Sequence, residues 1–105
     1  MNEKSSRLLI VIDIEDLSIE HLQQLVVFVK HNKLFDDWHS PFAGTFIVSS
    51  RADYREIALS MHEFFPEGRR LLVTHLVLGN NNGFLAKQSW DWISQFRQSN
   101  EPKEQ

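Results

Sequence analysis

Asp13 is the carboxylate best placed for chemistry. It stands near the end of Arg7-Leu8-Leu9-Ile10-Val11-Ile12-Asp13-Ile14, a β-branched apolar run without period-2 alternation. Such a run describes a strand covered on both faces, with its acid emerging at the rim of a buried sheet. On a regular strand Asp13 shares the pleat of Leu9 and Val11, opposite Ile10 and Ile12. Across a two-fold axis, two such carboxylates either repel or share a divalent cation. Mg2+ typically takes one or two carboxylates plus water and substrate phosphates. That arrangement would assist hydrolysis of a phosphodiester. The structural alternative is that Asp13, with Glu15 and Asp16, ends the strand and feeds the positive end of the next helix.

The helpers are sparser. The five histidines form no H-x-x-x-H or H-E-x-x-H pattern, which argues against zinc. His39, in Asp36-Asp37-Trp38-His39, is flanked by carboxylates in a loop and is a candidate acid, base or ligand. His75 lies inside a strand and reads as an interface residue. Ser49 is a candidate second helper, although no G-x-S-x-G elbow surrounds Ser49-Ser50 and capping accounts for Ser50. Arg51, Arg55, Arg69 and Arg70, with Lys30 and Lys33, either gather into a phosphate-binding patch or stay scattered as solvated charges. There is no P-loop and no G-x-G-x-x-G.

The elements that must position these residues follow from pattern. After the first strand, Ser18 is a helix N-cap, and Ile19, Leu22, Leu25, Val26 and Val29 keep helical spacing until Asn32. Residues 33–38 suggest a short edge strand that turns around Ser40-Pro41, because Pro breaks a ladder. Thr45–Ser50 is a second clear strand. Ser50 or Asp53 caps a helix with Tyr54, Ile57, Ala58, Met61 and Phe65 on one stripe, ended by Pro66-Glu67-Gly68. Residues 70–78 form another strand, and Gly79-Asn80-Asn81-Asn82-Gly83 is a turn. A tail follows, with a short helix capped by Ser89 that carries Trp90, Trp92 and Phe96. The order β-α-β-β-α-β predicts an α+β, ferredoxin-like antiparallel sheet with two helices on one face plus the C-terminal tail segment.

That architecture leaves one sheet face open while the strands carry apolar residues on both. Uncovered, it would show water a larger apolar patch than soluble monomers tolerate. A second subunit in a two-fold homodimer, or the Trp90/Trp92/Phe96 tail, must cover it. With 105 residues and no cysteine, the chain fits one domain over residues 1–98 and a disordered tail over 99–105. A disulfide framework is excluded, and a cytoplasmic protein without a membrane segment is expected. Eleven basic against fourteen acidic residues, a net charge of −3, is the wrong sign for a protein that coats nucleic acid.

The Leu9–Ile14 strand and its helix, the strand Gly44–Ser50, the closing Leu71-Leu72-Val73 and the Trp38-His39-Ser40-Pro41 segment together resemble a known group. It is the small ferredoxin-like subunit of CRISPR-adaptation nucleases and, more closely, its SinR-type relatives, over about residues 7–78. The resemblance implies a dimeric, Mg2+-dependent endonuclease for RNA or DNA. By the resemblance Asp13 would be its metal ligand and the tail would complete the other subunit's sheet; in such a nuclease His39 or Ser49 would be helpers and the arginines phosphate contacts. The chain lacks that family's arginine-rich first helix. The second class left open is a non-catalytic homodimer that binds a protein or RNA partner, as in regulatory or antitoxin-like modules.

Overall fold

Three rows of side chains cross the outer face of a four-stranded antiparallel sheet, and they organise everything that follows. The computed structural model describes residues 5–77 and 83–100, and side chains of these except 95–100. Elements run β1 (Ser6–Ile12), α1 (Ile19–Lys30), β2 (Phe35–Phe42), β3 (Thr45–Ser50), α2 (Tyr54–Glu63), β4 (Leu71–His75) and α3 (Lys87–Asn100). The sheet order is β2-β3-β1-β4 with every pairing antiparallel. This is the ferredoxin-like α+β arrangement expected from the alternation of patterns.

Residues opposite one another in a ladder share a face. On the inner face, Leu8, Ile10 and Ile12 of β1 and Phe46 and Val48 of β3 meet Leu25 and Val29 of α1, Ile57 and Met61 of α2, and Phe65. All are buried, most of them completely. Each buried aliphatic or aromatic side chain contributes about 1.5–3 kcal/mol, so this layer carries the fold. On the outer face the register gives one row of Asp37, Ser49, Arg7 and Leu76, a second of His39, Ile47, Leu9 and Thr74, and a third of Phe42, Thr45, Val11 and Leu72.

Local chemistry explains most boundaries. The Ser18 side chain accepts from the His21 N–H at 3.0 Å, and Asp53 and Glu56 form a capping box on α2, which decides between Ser50 and Asp53 as its cap. Ser50 Oγ instead donates to the Leu34 carbonyl at 2.6 Å and accepts from the Ala52 N–H at 2.9 Å.

Four expectations need correction. Strand β2 does not turn at Ser40-Pro41 but continues to Phe42, so His39 lies in a strand rather than a loop. The register shifts between His39 and Phe42. This bulge leaves one extra residue unpaired and accommodates a proline without an N–H. Ser40 Oγ donates to the Thr45 carbonyl at 2.8 Å and bridges the gap. Helix α1 buries Leu25 and Val29 with Leu22 and Phe28 half-buried, while Ile19 and Val26 face solvent. The stripe turns because the Phe28 ring packs on Phe64, with centroids 5.0 Å apart. Strand β4 is shorter than residues 70–78. Finally, α3 begins at Lys87, where the Ala86 carbonyl accepts from the Ser89 and Trp90 N–H groups. Ser89 is therefore inside the helix, not its cap.

The turn at 79–82, Leu78, the tail 101–105 and the Phe96 side chain lie outside the described residues and side chains. Among the described residues no helix is long and apolar enough to cross a membrane.

Candidate functional site

Helix α3 lies over the outer face on its β2 side and covers the middle of the first two rows, while Asp37 and Thr74 at their ends stay exposed. Ile93 is 7% exposed and Ser89 2%, and beneath them Ile47, Ser49 and Arg7 are buried. The tail thus covers part of the second face within one chain. Trp92 is the hub. The His39 ring stacks on it at 5.3 Å with an interplanar angle of 20°, and the Arg7 guanidinium carbon lies 4.4 Å from its ring centre. Such a contact favours a cation that has left bulk water. Burial pushes the Arg7 guanidinium down to about 9, with Asp37 acting in the opposite sense. Arg7 therefore remains charged at neutral pH.

His39 also meets Ser89, Nε2 to Oγ at 2.7 Å. Burial lowers the His39 pKa below its ordinary 6.5, against the raising effect of Asp37. In the neutral ring, Nε2 accepts the serine proton in one tautomer and donates to Oγ in the other. A hydroxyl beside a neutral imidazole is the start of a nucleophile–base pair, but Ser89 is sealed from solvent and the bond clasps α3 to β2. The pH dependence follows in sign. With its folded pKa depressed, His39 costs stability when protonated. Its contribution is complete above pH 6.5 and is lost as pH falls from there to the folded value. Wild type should therefore lose more melting temperature between pH 7.5 and pH 5 than His39→Gln, which keeps an acceptor without the titration. Parallel profiles for the two proteins would refute the clasp.

Asp13 lies at the other end of the sheet. Its backbone N–H donates to the Arg70 carbonyl at 3.0 Å, just beyond the paired residues of β1 and β4. Its Oδ1 accepts from the Glu15 N–H at 3.0 Å, and Oδ2 from Arg70 Nε at 3.1 Å and Nη2 at 2.8 Å. The Glu15 N–H first, then Arg70, hold this carboxyl below its ordinary 3.8. Arg69 Nη1 donates to the Asp13 and Glu15 carbonyls, both at 2.9 Å. It thereby pins the β1–α1 loop, where Asp16 sits at φ 67°.

The residues singled out in the sequence do not converge. Ser49 pairs with Arg7, six positions along β1 from Asp13, which is roughly 20 Å at strand rise. His39 and Ser49 occupy adjacent rows, yet the hydroxyl that reaches His39 is that of Ser89. Arg51 and Arg55 belong to the β3–α2 end of the sheet and Arg69 and Arg70 to the opposite end, so the four arginines make no common patch. Arg55 lies 5.6 Å from the Tyr54 ring centre. Among the described residues, no three His, Asp or Glu side chains are grouped to hold a metal. Within one chain both Asp13 oxygens accept protein hydrogen bonds.

Sequence reasoning missed Arg7 and the pairing of Ser89 with His39, and named Trp92 as part of the covering tail without its partners. The available signals were a lone cation inside an apolar strand and the i, i+3, i+4 spacing of Ser89, Trp92 and Ile93.

What remains of the outer face is its third row. Phe42 is 58% exposed, Val11 40% and Leu72 61%. The Asp13–Arg70 pair borders it. The chain matches no family model, no curated protein and no solved structure. Fold and site together define a ferredoxin-like α+β domain whose outer face is half sealed by its own last helix.

Proposed function

We propose that this chain is a non-catalytic ferredoxin-like module that acts by association. It would form a two-fold homodimer through the uncovered third row of the sheet. The observation that carries this reading is the line of exposed apolar side chains, Phe42, Val11 and Leu72, across three strands of one face. Isolated surface hydrophobics need no explanation, but here Val11 and Leu72 lie side by side, with Phe42 beyond the buried Thr45, and a patch of this kind rimmed by an ion pair has the makeup of an interface. A two-fold axis through the row would set each copy's row against the same row of the other. The homodimer would then serve as a platform for a protein partner rather than for nucleic acid. The arginines are divided between the two ends, and Arg69 and Arg70 are occupied by Asp13 and Glu15.

Sedimentation equilibrium at micromolar concentration tests it. The expected result is a dimer, weakened at least tenfold by Leu72→Asp, which would bury an unpaired carboxylate at the seam. A clean 12.3 kDa monomer overturns the reading. So does Mg2+- or Mn2+-dependent cleavage of single-stranded RNA or duplex DNA that disappears in Asp13→Asn, which would favour the nuclease class.

A further inference from the structure

Between α3 and the third row the sheet and helix do not close on each other. They leave a cavity of about 280 Å3. Leu9, Val11 and Ile47 form its floor, Trp90 and Ile93 its roof, and Phe42 one wall. Among the described residues no charged side chain and no histidine lines it, and Thr45 supplies the one aliphatic hydroxyl. The volume is near the small end of ligand pockets, about 300–1,000 Å3. The cavity is open on one side, whereas the roughly 150 Å3 that suffices for benzene refers to an enclosed apolar cavity.

Chemistry limits the occupant. A water molecule needs two to four polar partners to be held, and these walls offer almost none. A charged ligand would be desolvated without compensation. The shape admits one ring or a short chain.

We propose that this cavity is a binding site for a small, uncharged apolar molecule, a single aromatic ring or a short acyl chain. The cavity is formed within one chain, so the site does not depend on the homodimer. A second copy seated on the third row would roof its mouth at Val11 and Phe42. The roof residues Trp90 and Ile93 belong to α3, whose clasp to His39 holds them over the floor. Occupancy would therefore tighten α3 on the sheet.

The test is a titration of the full chain with toluene, followed through the methyl resonances of Leu9, Val11, Ile47 and Ile93. Those methyls should shift saturably, with half-saturation below about 1 mM, well inside the ceiling for so small a ligand. Val11→Phe, which places a ring at the mouth, should weaken toluene at least tenfold. Leu59→Phe, on the exposed face of α2, should leave it unchanged. Three results would each overturn the proposal. One is a linear drift shared with exposed Ile19 and Leu59, and another is no shift at all. The third is movement of the same methyls with protein concentration but not with toluene, which would give the cavity to a second copy. Sedimentation of the same samples without toluene reports the dimer separately.

Discussion

A chain ending at Ala86 is expected to be about 3–5 kcal/mol less stable than the full chain and to associate more strongly. None of the described side chains of α3 belongs to the inner core, so its removal leaves the inner layer of Leu8, Ile10, Phe46 and their helix partners intact. What goes is the cover of the outer face. Burial of Ile93, 7% exposed, is worth roughly 1.5–3 kcal/mol. The half-buried Trp90 and Trp92 add a comparable amount, and the His39–Ser89 hydrogen bond about 1 kcal/mol. Two effects oppose the loss: the ordering entropy of the helix is no longer spent, and Arg7 regains water. Against a typical domain stability of 5–15 kcal/mol, the remainder is large but need not unfold the sheet. The truncated chain would instead expose Ile47 beside Val11, Phe42 and Leu72, and join a second copy over the whole face. Urea unfolding and sedimentation, run together, check both halves. A truncated chain within 1 kcal/mol of full length, and no more associated, would make α3 an appendage rather than a cover.

How far the sequence revealed this depends on which face a residue serves. The inner layer is legible because β1 carries the apolar run Leu8–Ile12, β3 the core Phe46-Ile47-Val48, and α2 a clean stripe of Ile57, Met61 and Phe65. No competing pattern existed there. On the outer face the same residues admitted two covers, a second subunit or the tail, and only the tertiary placement of Ser89, Trp92 and Ile93 distinguishes them. Ser89 was misread as a cap because a serine before aromatics satisfies local capping logic, while its true partner, His39, is 50 residues away. Ser40-Pro41 reads as a turn after Trp38 because the bulge that accommodates the proline is compensated by Ser40 and Thr45, a side-chain-to-backbone bond no pattern shows. Asp13 was legible as a rim residue. Its role was not, since the donor that engages it, Arg70, comes from another strand's entry. The α1 stripe slipped for a related reason: propensity and spacing allowed Ile19 and Val26 inward, and the ring pair Phe28–Phe64 decided otherwise.

Gly44→Ala should cost about 2–4 kcal/mol, whereas Gly68→Ala, at nearly the same backbone angle, should cost about 1. Both glycines occupy the left-handed region, at φ 82° and 83°, where an L-residue costs roughly 1–2 kcal/mol. They differ in surroundings. A Cβ at Gly68 would meet nothing within 4 Å, while one at Gly44 would stand 2.8 Å from Ile14 Cγ2 and 3.0 Å from the Ile12 carbonyl oxygen. The Ile14 side chain can rotate away; the carbonyl belongs to β1 and cannot. Crowding of this kind adds roughly 1–3 kcal/mol. Gly44 also accepts from the Ile12 N–H at 2.8 Å, which stitches the β2–β3 hairpin to the end of β1. Displacing it shifts Phe42 and Thr45 relative to Val11; all three line the cavity, and Phe42 and Val11 are two of the three exposed side chains of the row. Gly44→Ala should therefore weaken dimerisation and toluene binding along with stability, while Gly68→Ala lowers the unfolding midpoint alone. Equal losses of stability in the two variants would mean that Ile14 relieves the contact and that the hairpin, not the carbonyl of Ile12, yields.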